Sequence, residues 1–204
     1  FEPYILQEGN LDQIDKEEAV RVARIFLASV RRGVQWRSIF LSAVMNSVPF
    51  KADREHIMTI LSALSTPSTN LYTYASGIGS SNIANIHGAE RLHKQAVVSI
   101  QFALDYEPNV LLGEFQRLPK MQKYFTETEY ADLHRSRFHT VTVTTDGTLV
   151  YAHCTHPKPI SRRQLRDAIA FEFDLPYPDG SHMGLVDEAL SAFEARLGMR
   201  LTAL

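Results

Sequence analysis

The sequence predicts a predominantly helical α+β fold of about seven or eight helices with one β-hairpin in the C-terminal half. Three observations predict it. Apolar residues recur at helical spacing along most of the chain, sustained β-type alternation occurs only near residues 138–155, and 45% of the 204 residues are hydrophobic. At this length we expect a single globular domain over residues 1–204, with a subdivision near the 65–88 loop as the alternative.

Helices are predicted from apolar residues three and four positions apart, N-cap residues, and terminating glycines or prolines. They are expected at 15–32, 35–47, 53–64 and 89–104, as two or three short helices within 110–136, from 161 onward and through 185–197. The 35–47 segment has almost no polar face, so a helix there must be covered on nearly all sides. The Ser- and Gly-rich 65–88 segment is expected to be a long loop with at most one strand.

The hairpin is predicted by two β-branched runs on either side of Asp146-Gly147. A two-residue turn at these positions would place His139 opposite Cys154, whereas a bulge at Gly147 would shift the pairs. Gly147 is expected to have a positive φ at a solvent-exposed tip.

The composition excludes several classes of protein. Lys+Arg 21 against Asp+Glu 23 is unlike a polycationic nucleic-acid coat, and one cysteine excludes an intramolecular disulfide framework. No run approaches the roughly 18 apolar residues of a membrane span. A single cysteine fits a reducing compartment, so an intracellular, cytoplasmic location is expected, while the start at Phe1 leaves open that a leader was removed.

Potential metal ligands and nucleophiles collect around the hairpin: His134, His139, His153, Cys154 and His156. Zinc needs three or four converging donors, and alternation along a strand sends neighbouring side chains to opposite faces. We therefore expect no zinc and no cofactor. An imidazole beside Cys154 would make it a nucleophile, although a lone buried cysteine is more often a packing residue.

Two further motifs suggest phosphate chemistry. The triplet from His153 to Thr155 has the His-x-Thr form of phosphoesterases that carry two such motifs, but no second copy is evident. The glycines of residues 77–82 resemble half of a phosphate cradle, yet the third glycine and the following lysine are missing. A surface loop is the better interpretation of that segment.

Arginines occur in small groups that could neutralise nucleic-acid phosphates if folding brings them to one face. The candidate nucleic-acid-binding residues are Arg31, Arg32, Arg37, Arg162, Arg163 and Arg166. Tyr72, Tyr74 and Tyr124 offer stacking surfaces for bases. The alternative is an ordinary solvated face, balanced by nearby carboxylates.

The sequence thus favours a non-enzymatic binding or assembly protein, such as a virion or nucleoprotein-type structural component, acting through self-association and nucleic-acid contact. Self-association would use the 35–47 helix or the edge of the Thr140–Thr144 strand. The alternative is a hydrolase or transferase centred on His139, His153 and Cys154.

Overall fold

A computed structural model describes residues 5–7, 10–48, 50–79, 110–115, 118–177 and 179–201. Its helices are α1 (Lys16–Arg31), α2 (Lys51–Leu64), α3 (Glu127–Arg135), α4 (Arg162–Glu172) and α5 (Val186–Leu197). Its strands are β1 (Leu6–Gln7), β2 (Asn10–Ile14), β3 (Ser38–Ser42), β4 (Asn70–Ser76), β5 (Val110–Phe115), β6 (Leu118–Lys123), β7 (Phe138–Thr145) and β8 (Leu149–Pro157). None of these described helices is both long enough and apolar enough to cross a bilayer.

A four-stranded mixed sheet, in the order β3-β4-β8-β7, organises the chain. β3 and β4 are parallel and joined through α2, whereas β8 pairs antiparallel with both β4 and β7. Among the described strands, β3 and β7 are therefore the two edges of this sheet. The pairs β1–β2 and β5–β6 form separate two-stranded sheets.

The core lies on one side of the mixed sheet. One cluster joins inward residues of the sheet, such as Leu71, to Met58 of α2 and Tyr130 of α3. A second cluster is formed by α1, α2, α4 and α5, with Leu165 and Phe193 among its buried members. α2 contributes to both clusters, so it connects the sheet to the remaining helices.

The predicted fold class is wrong in the numbers of helices and strands. In place of seven or eight helices and one hairpin, the described residues have five helices and a four-stranded mixed sheet. The helices hold 16, 14, 9, 11 and 12 residues and the strands of the mixed sheet hold 5, 7, 9 and 8, so strands are a much larger part of the fold than one hairpin.

The predicted 35–47 helix does not form, because β3 occupies its centre. Ile39 and Leu41 face the core side of the sheet and Phe40 between them faces outward. A short apolar run fits either a buried helix or a strand by periodicity alone, and here long-range pairing with β4 decides. The strand ends at Ser42, and the next residue, Ala43, has a φ of 54°.

The predicted short helices of 110–136 are replaced in part by the β5–β6 hairpin. Pro119 lies within β6, which among the described strands pairs with β5 alone, and such an edge strand tolerates proline. Of the helices expected there, the structure has α3, whose capping box of Thr126 and Glu129 is confirmed. The 65–88 loop contains β4, and the predicted 89–104 helix lies outside the described residues.

Helices with strong local end signals are confirmed. The Asp15 side chain accepts a hydrogen bond from the Glu18 backbone N–H at the start of α1. The α2 helix is present where 53–64 was expected, Ser161 and Gln164 form the capping box of α4, and Gly198 ends α5 with φ 62°.

The predicted hairpin is confirmed as β7–β8, but the pairing of His139 with Cys154 is wrong. The Asp146 N–H donates to the Leu149 carbonyl at 3.3 Å, which moves the turn one residue along the chain. Val141 consequently faces Cys154. The register differs by two residues from the prediction, so each side chain keeps its face of the sheet.

Gly147 has φ 89°, and a Cβ there would meet no atom within 4 Å. We expect Gly147→Ala to destabilise the protein by about 1 kcal/mol through backbone strain alone. Gly147→Asn is the control, because asparagine tolerates this conformation and should cost less. Urea unfolding of the three proteins measures the difference, and equal stability of all three would contradict the strained turn.

Candidate functional site

The outward face of the mixed sheet presents aromatic side chains on three neighbouring strands. They point outward because the residues between them, such as Leu71, Thr73 and Ala75 of β4, are buried beneath the sheet. The register aligns Phe40 of β3 with Tyr72 of β4 and His153 of β8, and these three residues are called the aromatic row. A second row contains Ser42, Tyr74 and Tyr151.

The rings of the aromatic row stack on one another. The ring centroids of Phe40 and Tyr72 are 5.3 Å apart with an interplanar angle of 17°, and those of Tyr72 and His153 are 4.8 Å apart at 11°. These separations are close to the strand spacing of about 4.8 Å, so the rings form an offset stack across the strands. Phe40 lies at the open end of this stack and is 74% exposed, against 40% for Tyr72.

Hydrogen bonds hold several of these rings in place. The His153 Nε2 lies 2.8 Å from the Asn70 Oδ1, which accepts the ring N–H. The Ser42 hydroxyl donates to the Tyr74 hydroxyl at 2.5 Å. The Tyr151 hydroxyl donates to Asp146 at 2.7 Å. These bonds hold His153, Tyr74 and Tyr151 in place before a ligand arrives, while Phe40 and Tyr72 are held by ring stacking.

The two rows and β7 line a shallow depression of about 470 Å³. Thr142 and Thr144 of β7 close one side of it. None of its described lining residues is Lys, Arg, Asp or Glu. A surface of aromatic rings and hydroxyl groups without Lys, Arg, Asp or Glu favours the flat face of an uncharged ring.

A buried hydrogen-bond network fixes β4 from below. The Tyr130 hydroxyl donates to Thr73 Oγ1 at 2.7 Å, and Thr73 Oγ1 lies 2.7 Å from His134 Nε2. The His134 Nδ1–H donates to the Tyr130 carbonyl oxygen, also at 2.7 Å. This arrangement requires His134 to be neutral, with Nε2 as the acceptor. Burial accordingly lowers the pKa of His134 to about 4.

The histidines and the cysteine of the hairpin do not converge. Cys154 faces the core, and burial raises its pKa to about 12, so the thiol is not a ready nucleophile. His153 lies on the opposite face in the aromatic row, His139 and His156 are exposed, and His134 belongs to the buried network. Within the part of the chain that the structure describes, no three His, Cys, Asp or Glu side chains are placed to hold a metal ion.

The predicted arginines lie on three different elements. Arg31 and Arg32 end α1, and Arg31 donates to Ser191 at 3.1 Å. Arg162, Arg163 and Arg166 lie in the first turns of α4. The guanidinium groups of Arg163 and Arg166 are 3.7 and 3.6 Å from the Asp167 carboxylate. Arg37 is exposed and immediately precedes β3, so it is the one nearest in sequence to the aromatic row.

The three tyrosines that the sequence analysis named as stacking surfaces differ in their exposure. Tyr72 and Tyr74 lie on the open face, whereas Tyr124 is 7% exposed. Phe40 was missed because its segment was assigned to a helix. The alternation of Ser38, Ile39, Phe40, Leu41 and Ser42 is the signal that identifies an outward aromatic residue on a strand.

The glycines of the predicted phosphate loop approach the hairpin turn. The Gly77 N–H donates to the Thr148 carbonyl at 2.9 Å. A Cβ at Gly79 would lie 2.4 Å from the Gly147 carbonyl oxygen, so only glycine fits there. Close backbone packing against the turn thus explains these two glycines, and residues 80–82 lie outside the described part.

A second group with a shifted pKa lies where α2 meets α4. Burial, reinforced by the charge of Asp53, raises the pKa of Glu172 to about 8. The nearby His56 ring contacts Phe171 with centroids 5.0 Å apart. Perturbed carboxyl groups often mark functional sites, but this one belongs to the helices and not to the open face.

Comparison with family models, with characterised proteins and with solved structures finds no match to this chain. The geometry of the open face therefore carries the functional argument.

His134 and Glu172 make opposite contributions to the pH dependence of stability. The folded-state pKa of His134 is below its unfolded value of 6.5, so its contribution is lost as pH falls from 6.5 to about 4. The folded-state pKa of Glu172 is raised, so its contribution is lost as pH rises from 4.5 to about 8.

We expect Glu172→Gln protein to lose about 3 kcal/mol of unfolding free energy between pH 6.5 and 4 through His134. Adding His134→Gln should flatten this loss, whatever its effect on stability at neutral pH. Urea unfolding across the pH range measures both proteins. An unchanged slope in the double variant would show that His134 is not the titrating group.

Proposed function

We propose that this protein binds single-stranded nucleic acid by stacking bases on the aromatic row. The observation that carries the proposal is the open ring face of Phe40 at the end of a stack that already contains Tyr72 and His153. A nucleobase placed on this face would extend the stack by one ring. Base stacking on aromatic side chains contributes about 1–3 kcal/mol per base and tolerates every base.

The form of the depression favours a single strand over a duplex. The bases of a duplex already cover each other's faces, whereas an unpaired base offers its face to a protein ring. The hydroxyls of Thr142, Thr144 and Tyr74 around the depression supply neutral hydrogen-bonding groups for base edges and sugars. This chemistry supports recognition of bases, with the phosphates left outside the uncharged floor.

Arg37 supports a phosphate contact beside the row. It lies at a bend immediately before the same edge strand, three residues before Phe40 and about 10 Å from it along the strand direction. The arginines of α1 and α4 are on helices of the other core cluster and carry no part of the proposal. Arg163 in addition has Asp167 as a partner at 3.7 Å.

The proposal keeps the binding interpretation of the sequence over the enzyme alternative. The alternative needs His139, His153 and Cys154 in one pocket, and their separation over the two sides of the hairpin supports binding. Self-association can no longer rest on a 35–47 helix, and its remaining basis is β7, which is an edge strand among the described strands. An intracellular location stays a prediction that a single, buried cysteine supports.

Phe40→Ala should weaken binding of a fluorescent (dT)12 or (U)12 oligonucleotide by roughly 5- to 100-fold, which corresponds to one lost base stack. Fluorescence anisotropy at low salt measures the dissociation constants. Phe50→Ala is the matched control, because Phe50 is 41% exposed but lies at the start of α2 and outside the sheet. A duplex of the same length should compete poorly.

Two results would overturn the proposal. One is the absence of oligonucleotide binding by the unmodified protein at low salt. The other is an equal effect of Phe40→Ala and Phe50→Ala on the dissociation constant. Thermal melts of both variants show that the comparison is made on folded protein, since both side chains are largely exposed and their removal should change stability little.

Arg37→Gln should lower the salt dependence of oligonucleotide binding. One lost phosphate contact on a single strand reduces the slope of log affinity against log salt by about 0.7. Arg163→Gln is the control and should leave the slope unchanged. Anisotropy titrations over a range of salt concentrations measure both slopes, and equal slopes for Arg37→Gln and the unmodified protein would exclude a phosphate contact at this residue.

A further inference from the structure

The sequence of β7, an edge strand among the described strands, holds none of the residues that usually protect such an edge. β7 holds eight residues, Phe138–Thr145, and none of them is Lys, Arg, Asp, Glu, Gly or Pro. Edge strands of soluble proteins are normally guarded by charges, prolines or bulges. The other edge of the mixed sheet, β3, is only five residues long and lies between Arg37 and the left-handed Ala43. None of the described strands pairs with the outer side of β7.

The hairpin turn determines which backbone groups of β7 face that edge. The Asp146 N–H donates to the Leu149 carbonyl, so this closing pair is hydrogen-bonded. Hydrogen-bonded and non-hydrogen-bonded pairs alternate along an antiparallel ladder. Thr142 and Thr144 therefore bond to β8, while Val141 and Val143 direct their N–H and C=O groups to the open edge.

We propose that two copies of this chain pair antiparallel through β7, about a two-fold axis at Thr142. Opposite residues of an antiparallel pair point to the same face of a sheet. This axis places Val141 opposite Val143 of the second copy and Thr140 opposite Thr144. The valines, half-buried on the core side, thus meet valines, and the exposed threonines meet threonines.

Neighbouring registers fit less well. An axis at Val141 would place the half-buried Val143 opposite the exposed His139 of the other copy. An axis at Val143 would pair only residues 141–145, five of the eight in the strand. Strand β7 is thus self-complementary in one register, and this favours a second copy of the chain over an unrelated peptide as the partner.

The paired sheet would have eight strands and one continuous outer face. Thr142 lies beside His153 in the register of the aromatic row, so the two copies of Thr142 would meet at the axis with an aromatic row on each side. The pairing follows from the edge alone and does not rest on the proposed nucleic-acid binding.

Thr142→Cys tests the register directly. Cys154, the single cysteine of the sequence, is fully buried, so the new cysteine supplies the accessible thiol. The two Cα atoms of residue 142 would lie about 4.5 Å apart as a non-hydrogen-bonded pair, within the range of about 4.4–6.8 Å that a disulfide spans. Mild oxidation should convert Thr142→Cys protein to a covalent dimer. Thr144→Cys is the control and should not cross-link, because its two copies lie four residues, or about 13 Å, apart.

Native mass by light scattering tests the pairing itself. The unmodified protein should be dimeric, and Thr142→Lys and Thr142→Asp should each be monomeric, because like charges would meet at the axis. An equimolar mixture of these two variants should recover the dimer, since opposite charges then face each other.

A strict monomer of the unmodified protein overturns the pairing, as does a dimer that survives both charged substitutions. A dimer in which Thr144→Cys cross-links as readily as Thr142→Cys overturns the register. Oligonucleotide binding, measured separately on the unmodified protein, reports the proposed function and is independent of these outcomes.

Discussion

The side-chain alternation of β4 is the constraint on which the sheet and its open face depend. Thr73 is held beneath the sheet by Tyr130 and His134, and this network leaves none of the three side chains unsatisfied. Because the period of a strand is two, fixing Thr73 inward fixes Tyr72 and Tyr74 outward. A slip of one residue would bury two tyrosines and break the network, and each buried group left unpaired costs about 1–3 kcal/mol.

The same alternation separates the chemistry of β8 into two parts. On the core side Cys154 packs as an apolar residue with a raised pKa. On the outer side His153 stacks on Tyr72 and donates to Asn70, so its ring belongs to the aromatic row. Residues adjacent in sequence thus have unrelated roles, and their clustering along the chain is a poor guide to a shared site.

The sequence predicted those elements whose signals are local. In each of α1, α3 and α4, the two residues that form the N-terminal cap are three positions apart in the sequence. The positive φ of Gly147 likewise depends on a single turn. β3 could not be predicted in this way, since it pairs with β4 across the whole of α2. The candidate site was found only in part for the same reason: Tyr72 was named as a stacking surface, but Phe40 joins it only when β3 is a strand.

In the described part of the chain, the mixed sheet has an unpaired edge on either side, at β3 and at β7. The β3 edge exposes one ring face of Phe40, whereas the β7 edge exposes a row of backbone hydrogen-bonding groups. Three strand spacings, about 14 Å, separate the two edges. Sites this far apart usually contribute independently to the free energy, and the β7 pairing uses backbone groups, not the Thr142 and Thr144 hydroxyls that border the depression. A base stacked on Phe40 and a second copy paired on β7 would therefore not compete. Joining two copies would raise the affinity for a nucleic-acid strand long enough to reach both outer faces. Once such a strand is bound to one face, the second face is present at a high effective concentration.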